Sequence, residues 1–294
     1  MNTNQALNWG QQELPASCTS SPNLDAEILL AHSLQQTRTF VLGHGKTELT
    51  PEQESTYRNL IKQRRQHWPL AYLTGQQEFY DLKFTVNQAV LIPRPETELI
   101  IDDILDQRYN LNAQTTILDL GTGSGCIIIT LAKHLHNITK HFLAIDISES
   151  ALAVAKHNAQ QHQQQINFLL GNLLKPILNQ PQLITNDLII TANLPYLDQT
   201  WRQLLTATDS KALQYEPSLA LAGGTDGLDY YRQLVKQINK LLILRPELNI
   251  KLYCEINQKQ VSAFKQIFTN YNIQIKPDLA GLDRLAIVKN LTQK

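Results

Sequence analysis

The chain reads as an α/β protein with a seven-stranded, mostly parallel sheet and helices on both faces, preceded by a small all-α helical bundle. Three observations carry this reading. From about residue 93, short β-branched apolar runs such as Leu188-Ile189-Ile190-Thr191-Ala192 alternate with longer helical segments, as do strands buried on both faces of a parallel sheet. One such run, Thr116-Ile117-Leu118-Asp119-Leu120, opens directly into Gly121-Thr122-Gly123-Ser124-Gly125, a turn that lets backbone approach a ligand closely. Before about Tyr80, apolar residues recur at helical spacing and no convincing strand occurs.

With 294 residues the chain is long enough for two domains, and a hydrophobic fraction of 43% supplies a core. Lys and Arg number 26 against 26 Asp and Glu, so no global field recruits nucleic acid or an anionic membrane surface, and direct nucleic-acid binding is not expected. Residues Met1 to Leu14 are polar and Gln-rich, and no run approaches a membrane span, so a cytoplasmic location without a membrane partner is expected. Cys18, Cys126 and Cys254 are odd in number and far apart, which argues against a disulfide framework and gives no zinc-ligand spacing; no metal is expected.

The bundle is expected over residues 1–76. Leu24, Ile28, Ala31 and Leu34 recur at helical spacing, with Asn23 as a candidate cap. Thr50-Pro51-Glu52-Gln53 is a clearer start: a capping hydroxyl, proline at the first helical position, and Gln53 placed for a capping box. The helix it opens should turn Tyr57, Leu60 and Ile61 inward and Arg58, Lys62, Arg64 and Arg65 outward, either as a solvated face or as a partner-binding one. Between residues 77 and 92 the period changes to two, through Phe79, Leu82, Phe84, Val86 and Val90-Leu91-Ile92, which predicts a hairpin linker. A catalytic domain is expected over 93–294. It opens on Pro93-Arg94-Pro95-Glu96-Thr97-Glu98, whose prolines hold an extended backbone that presents Arg94, either as a rigid linker or as a wall of a site.

The glycine turn leads into a helix from Cys126 to Leu135, but Cys126 stands where a dinucleotide fingerprint needs glycine, and the Gly-Lys-Ser/Thr end of a P-loop is missing. The next strand, Phe142 to Ile145, ends in Asp146, at the separation where an acid meets ribose hydroxyls in nucleotide-binding βαβ units. Ser148 starts a helix that fades into the Gln-rich stretch 160–165, where His162 reads as solvated, and a third strand from Ile166 to Leu170 ends at Gly171-Asn172-Leu173. Asn193-Leu194-Pro195-Tyr196 follows the run 188–192, at the carboxyl end of a strand, where open α/β sheets bind ligands. An amide acceptor beside an aromatic ring suits a planar NH2-bearing group; an ordinary strand-to-loop turn is the plain alternative. Trp201 to Thr208 is placed to cover the site, and Gly223-Gly224-Thr225-Asp226-Gly227 reads as a loop. A helix from Leu228 to Leu244, a strand from Ile250 to Ile256, a helix from Gln260 to Phe268, and strands near Ile273 and Ile287 complete the alternation.

Together, Pro69-Leu70-Ala71-Tyr72-Leu73-Thr74-Gly75, Leu91 to Glu98, Ile117 to Cys126, Asn193 to Tyr196, Tyr215-Glu216-Pro217 and Gly223 to Gly227 resemble the HemK/PrmC family, the glutamine methyltransferases that act on peptide chain release factors. The resemblance, from about Leu24 to Val288, implies a class I S-adenosylmethionine-dependent methyltransferase fold. It implies a bundle that engages the release factor and a carboxyl-terminal domain that methylates the glutamine of a Gly-Gly-Gln loop. It also implies that Gly121, Thr122, Gly123, Ser124, Gly125, Asp146, Asn172, Leu173 and Asn193 bind S-adenosylmethionine. Arg94, Asn193, Leu194, Pro195 and Tyr196 would bind substrate, the last four forming the catalytic stretch: the Asn193 side-chain oxygen and the Leu194 carbonyl accept the two amide hydrogens while Tyr196 packs on the amide plane.

Three positions depart from the family pattern: Leu194 for the commoner proline, Asn172 for an acid near the adenine, and Asn257 for the glycine after Glu255-Ile256. Rival readings are methylation of a ribosomal-protein glutamine, methylation of an adenine amino group, and a cofactor-binding scaffold. The rRNA dimethyladenosine enzymes share Asn-Leu-Pro-Tyr, but their helical domain follows the catalytic one.

Overall fold

The computed structural model describes residues 1–206 and 210–291. Contacts divide it into two units, Met1–Gln76 with Thr200–Glu216, and Gln77–Gln199 with Pro217 onward.

The first unit holds α1 (Thr3–Glu13), α2 (Pro22–Leu34), α3 (Arg38–Gly43), α4 (Pro51–Arg65) and α5 (Leu70–Thr74). Its core joins Ala6, Leu29, Leu30, Leu34, Tyr57, Leu60 and Ile61. Helix α4 has the expected capping box, with the Gln53 amide donating to Thr50 Oγ1 and the Thr50 amide to Gln53 Oε1. Helix α2 differs from expectation: Pro22 is its first residue after Ser21, so Asn23 lies inside the first turn and caps nothing. Of the apolar residues expected at helical spacing, Ala31 and Leu34 are buried together with Ala26, Leu29 and Leu30, while Leu24 is exposed, because the apolar residues of α2 nearly encircle it and periodicity does not choose among faces. Arg64 also differs. It is turned in rather than out, with its Nε 2.6 Å from Asp25 Oδ2 and Nη1 donating to the Trp68 carbonyl, while Arg58 and Arg65 pair with Glu54 and Glu13. Residues 200–216, inside the expected catalytic domain, belong to this unit: the Tyr215 ring lies 4.6 Å from that of Trp68 and its hydroxyl donates to the Gln66 carbonyl. A short 3-10 helix spans Trp201–Thr206; the remainder of the expected cover, 207 and 208, lies outside the described residues.

A two-stranded hairpin, β1 (Gln76–Phe79) and β2 (Leu82–Thr85), begins at the last residue of the segment Met1–Gln76, continues into the second unit and is turned at Tyr80 and Asp81, both at positive φ as a tight hairpin turn requires. Val90-Leu91-Ile92 joins no strand. Then come α6 (Glu98–Asp106), β3 (Thr115–Leu120), α7 (Cys126–Leu135), β4 (His141–Asp146), α8 (Glu149–Gln161), β5 (Asn167–Leu170), α9 (Lys175–Asn179) and β6 (Asp187–Ala192). The unit closes with α10 (Asp229–Leu244), β7 (Asn249–Glu255), α11 (Val261–Ile267), β8 (Asn272–Pro277) and β9 (Asp283–Leu291). The strands form one seven-stranded sheet in the order β5-β4-β3-β6-β7-β9-β8. All neighbours from β5 to β7 are parallel, and β9 runs antiparallel to both β7 and β8.

Alternate residues of each strand feed opposite faces. Leu118, Leu143, Ile190 and Leu252 pack with α10 and α11; Ile117, Ala144, Ile189 and Tyr253 pack with α6 and α7. The strand order reverses between β3 and β6, so the helices leaving their carboxyl ends diverge and a crevice opens there. His162 is half-buried rather than solvated, bonded to the Lys83 carbonyl and tilted against Phe84, because α8 packs beside the hairpin. Among the described residues, no helix is long and apolar enough to cross a membrane.

Candidate active site

One cleft lies over the carboxyl ends of β3, β4, β5 and β6. Its lining includes Arg94, Gly121, Thr122, Gly123, Ser124, Asp146, Asn172, Leu173, Asn193, Leu194 and Pro195. Gly121, Gly123 and Gly125 have φ of 68°, 55° and 81°, the left-handed region that glycine enters without penalty. This curl lets the amides of Gly121 and Thr122 donate to the Ile145 carbonyl at 2.8 and 3.1 Å, and the Gly123 amide to Asp146 Oδ2 at 2.9 Å. A Cβ on Gly123 would meet nothing closer than 3.9 Å, whereas one on Gly125 would stand 2.8 Å from Ile129 Cδ1 and 3.3 Å from Ala155 Cβ. Gly123 therefore keeps backbone open to a ligand. Gly125 does not line the cleft, and its small size serves the packing of α7 on α8. The loop is braced from behind by buried Asn158, which donates to the carbonyls of Ser124 and Thr85.

The acids at the strand ends are buried. Asp119 accepts from Thr191 Oγ1 at 2.7 Å, and burial pushes its carboxyl up to about 7. Asp146 has one oxygen on the Gly123 amide and the other on the Ser148 amide; burial raises its carboxyl, and those amides oppose the rise. The Cys126 thiol, although in the lining, is pushed up to about 12 by burial, so it is no nucleophile near neutral pH. Leu173 has φ of 53°, uncommon for a branched residue, and holds the end of the β5 turn against the cleft.

Asn193 follows β6 directly, and the register pairs Leu120 with Ala192, so Gly121 and Asn193 start side by side. The Asn193 amide donates from Nδ2 to Thr97 Oγ1 at 3.0 Å, and Thr97 Oγ1 donates to Glu255 Oε2 at 2.6 Å. Tyr196 does not line this cleft; its hydroxyl donates to Glu255 Oε1 at 3.2 Å, since a carboxylate 2% exposed needs donors. Tyr231 joins the ends of β6 and β7 by bonding the Glu255 carbonyl at 2.6 Å and the Ala192 carbonyl at 3.4 Å.

Gly223 to Gly227 is more than a loop. Leu197 and Ala222 form a parallel bridge, and the Gly223 amide donates to the Leu197 carbonyl. A Cβ on Gly223 would fall 2.4 Å from the Pro195 carbonyl oxygen, and one on Gly227 2.0 Å from that of Tyr196. Only glycine permits this approach, and Gln260 Nε2 completes it by donating to the carbonyls of Tyr196 and Asp226.

Sequence reasoning missed Thr97, Glu255 and Gln260. Glu255 had a signal: a single acid at the end of an apolar strand, the same position that Asp146 occupies on β4. Thr97 lay inside a segment singled out for its prolines and Arg94.

A parallel sheet that reverses at β3 and β6, with a glycine turn, a strand-terminal acid and an amide loop on one cleft, defines an α/β methyltransferase of class I. Comparison with known proteins agrees and goes further. A methyltransferase-domain model matches residues 111–272, and a model of the PrmC N-terminal domain matches residues 5–75. The chain is 31% identical to the release factor glutamine methyltransferase of Bacillus anthracis over 98% of its own length and 99% of that protein's. It is 36% identical to the one from Moorella thermoacetica over 97% of each. The chain belongs to the release factor glutamine methyltransferase family. Among solved structures, the hMettl16 catalytic domain in complex with an RNA hairpin superposes with a TM-score of 0.56 at 14% identity, covering 90% of this chain and 92% of that one, and so shares the fold.

Proposed function

We propose that this methyltransferase transfers a methyl group from S-adenosylmethionine to the side-chain amide nitrogen of the glutamine in the Gly-Gly-Gln motif of peptide chain release factors. The observation that carries it is the placing of Asn193 and Leu194 on the same cleft as the glycine turn and Asp146. The residues present fit the cofactor. Asp146 offers an acceptor at the end of β4 for ribose hydroxyls, Gly123 leaves open backbone, and Ile147 and Leu173 supply apolar surface for a flat base. When bound, S-adenosylmethionine supplies an electrophilic methyl on a sulfonium.

A glutamine amide nitrogen is a weak nucleophile because its lone pair is delocalised into the carbonyl. In this reading the Asn193 side-chain oxygen and the Leu194 carbonyl accept its two hydrogens and aim the nitrogen at the methyl. Orientation and proximity of this kind are worth several kcal/mol. The nitrogen then gives up one proton, and no general base is required before transfer. Arg94, which lines the cleft, binds the substrate, and the first unit engages the release factor; its match to the PrmC N-terminal domain supports that role. The site of action is the cytoplasm, where release factors work.

Tritium transfer from labelled S-adenosylmethionine into purified release factors, ribosomes and rRNA, side by side, tests the proposal. Label is expected in a release factor and lost when its Gly-Gly-Gln glutamine is replaced. Label confined to ribosomal protein or to rRNA overturns it in favour of a ribosomal-glutamine or adenine enzyme.

A further inference from the structure

Three elements meet behind Asn193: Thr97 before α6, Glu255 at the end of β7, and the loop leaving β6. Thr97 and Glu255 are each 2% exposed, and the chain of bonds runs from Asn193 Nδ2 to Thr97 Oγ1 (3.0 Å) to Glu255 Oε2 (2.6 Å). The other carboxylate oxygen takes the Tyr196 hydroxyl. A hydroxyl has one proton and a carboxylate has none. With Glu255 ionised, Thr97 must donate to it and keeps only lone pairs for Asn193, so the Asn193 NH2 faces Thr97 and its oxygen is turned the other way. If Oε2 carries a proton the direction reverses: the acid donates to Thr97, Thr97 donates onward, and the Asn193 amide inverts.

We propose that Thr97 and Glu255 are positioning residues for methyl transfer, which hold the oxygen of the Asn193 amide toward the substrate nitrogen through the one-way direction of their hydrogen bonds. The inference rests on the reading that Asn193 accepts an N–H of the substrate amide. An inverted Asn193 sets NH2 against NH2, losing an acceptor and adding repulsion. Glu255 is faced by Thr97 and Glu96 from the segment before α6, Tyr196 from the catalytic loop, Arg284 from β9, Tyr231 from α10, and the neutral thiol of Cys126 from α7. Burial raises its carboxyl, while Thr97, Arg284 and Tyr196 oppose the rise. Since the ionised form is the one that orients Asn193, turnover is held above the Glu255 pKa and falls as pH drops through it.

The test uses the full-length chain with Thr97→Ser, Thr97→Val and Glu255→Gln, measuring cofactor Kd, single-turnover methyl transfer to a release factor, and its pH profile. Thr97→Ser is expected to stay within about threefold of wild type, and Thr97→Val to lose at least about tenfold in transfer rate, the worth of one misdirected hydrogen bond, at unchanged cofactor Kd. Glu255→Gln, which cannot titrate, should be slower and lack the acid limb of the wild-type profile. A Thr97→Val as fast as Thr97→Ser, or a Glu255→Gln that keeps the acid limb, overturns the proposal, and the second stands as a test even where the first does not fold. A readout without substrate separates this inference from the proposed function: in 15N spectra of the wild-type chain, the Asn193 side-chain NH2 should keep one exchange-protected proton. That proton in an enzyme that methylates no release factor would sink the function alone, and its absence in wild type would sink the relay.

Discussion

Asp146 accepts the Gly123 amide at 2.9 Å, so the acid ending β4 holds the glycine turn that follows β3. Its other oxygen accepts the Ser148 amide, and Asp146 lines the cleft. In the proposed function Asp146 is the ribose acceptor, so Asp146→Ala would remove that acceptor and the bond that holds the turn together. With hydrogen bonds to a charged acceptor worth about 1.5–3 kcal/mol, the S-adenosylmethionine Kd is expected to rise about tenfold to a hundredfold. Calorimetry checks this, and an unchanged Kd would remove Asp146 from the cofactor site.

Asp119 gives a stability prediction with a definite sign. Folding raises its carboxyl from 3.8 to about 7, so between those values the folded state binds more protons than the unfolded state. The contribution of Asp119 is most favourable below about pH 4 and is lost as pH rises through about 7. Asp119→Asn keeps an acceptor for Thr191 and removes this dependence. Its melting temperature relative to wild type should therefore climb from pH 5 to pH 8 and level off above; a pH-independent difference would mean that the carboxyl ionises normally.

The doubly wound half of the fold was legible because its signals are local. A strand buried on both faces needs an uninterrupted apolar run, and the turns after β3 and β4 carry Gly121 and Asp146 within a residue of the strand end. What stayed hidden depends on partners far along the chain. Arg64 looks like its exposed neighbours until Asp25, 39 residues earlier, is folded against it. Thr97 and Glu255 are separated by 158 residues, so no spacing rule links them. The same holds for Gly227, whose need for glycine arises from the Tyr196 carbonyl on another loop.

That last contact predicts a sharp contrast. Gly227 has φ of 79°, and an added Cβ would lie 2.0 Å from the Tyr196 carbonyl oxygen and 2.3 Å from Gln260 Nε2. Gly227→Ala should shift the Asn193 loop and cost about a hundredfold in transfer rate, as misplacements near 1 Å do. Gly75→Ala, at φ of 72° with nothing within 4 Å, should cost only about 1 kcal/mol of stability from backbone strain and leave the rate alone. Single-turnover rates and denaturant melts on both variants decide whether the Gly223 to Gly227 segment supports the Asn193 loop.

In the first unit, the Arg64–Asp25 pair is the cation contact that matters for stability. Both side chains are nearly buried, at 11% and 6% exposed, while Arg58 and Arg65 are about half exposed. Asp25→Ala leaves a buried guanidinium with, among the described residues, the Trp68 carbonyl alone and should cost about 3–5 kcal/mol. Arg58→Ala should cost under about 1 kcal/mol. Urea melts of the two variants check the ranking, and equal losses would refute it.

The sharpest prediction concerns Asn193 and Leu194. If Asn193 accepts from the reacting nitrogen as proposed, Asn193→Ala removes that acceptor, and methyl transfer to a release factor containing Gly-Gly-Gln should fall by orders of magnitude while cofactor Kd changes much less. Leu194→Pro restores the family's commoner residue and keeps the backbone carbonyl, so its rate should stay within about tenfold of wild type. Its stability should not be spared. The Leu194 side chain is 2% exposed and packs in the core against the glycine turn. A loss of about 1–3 kcal/mol in unfolding free energy is expected from the lost packing. Single-turnover transfer and urea melts on the same two proteins separate chemistry from folding. A fully active Asn193→Ala, or a well-folded Leu194→Pro as inactive as Asn193→Ala is expected to be, would show that this loop presents something other than two acceptors to the substrate.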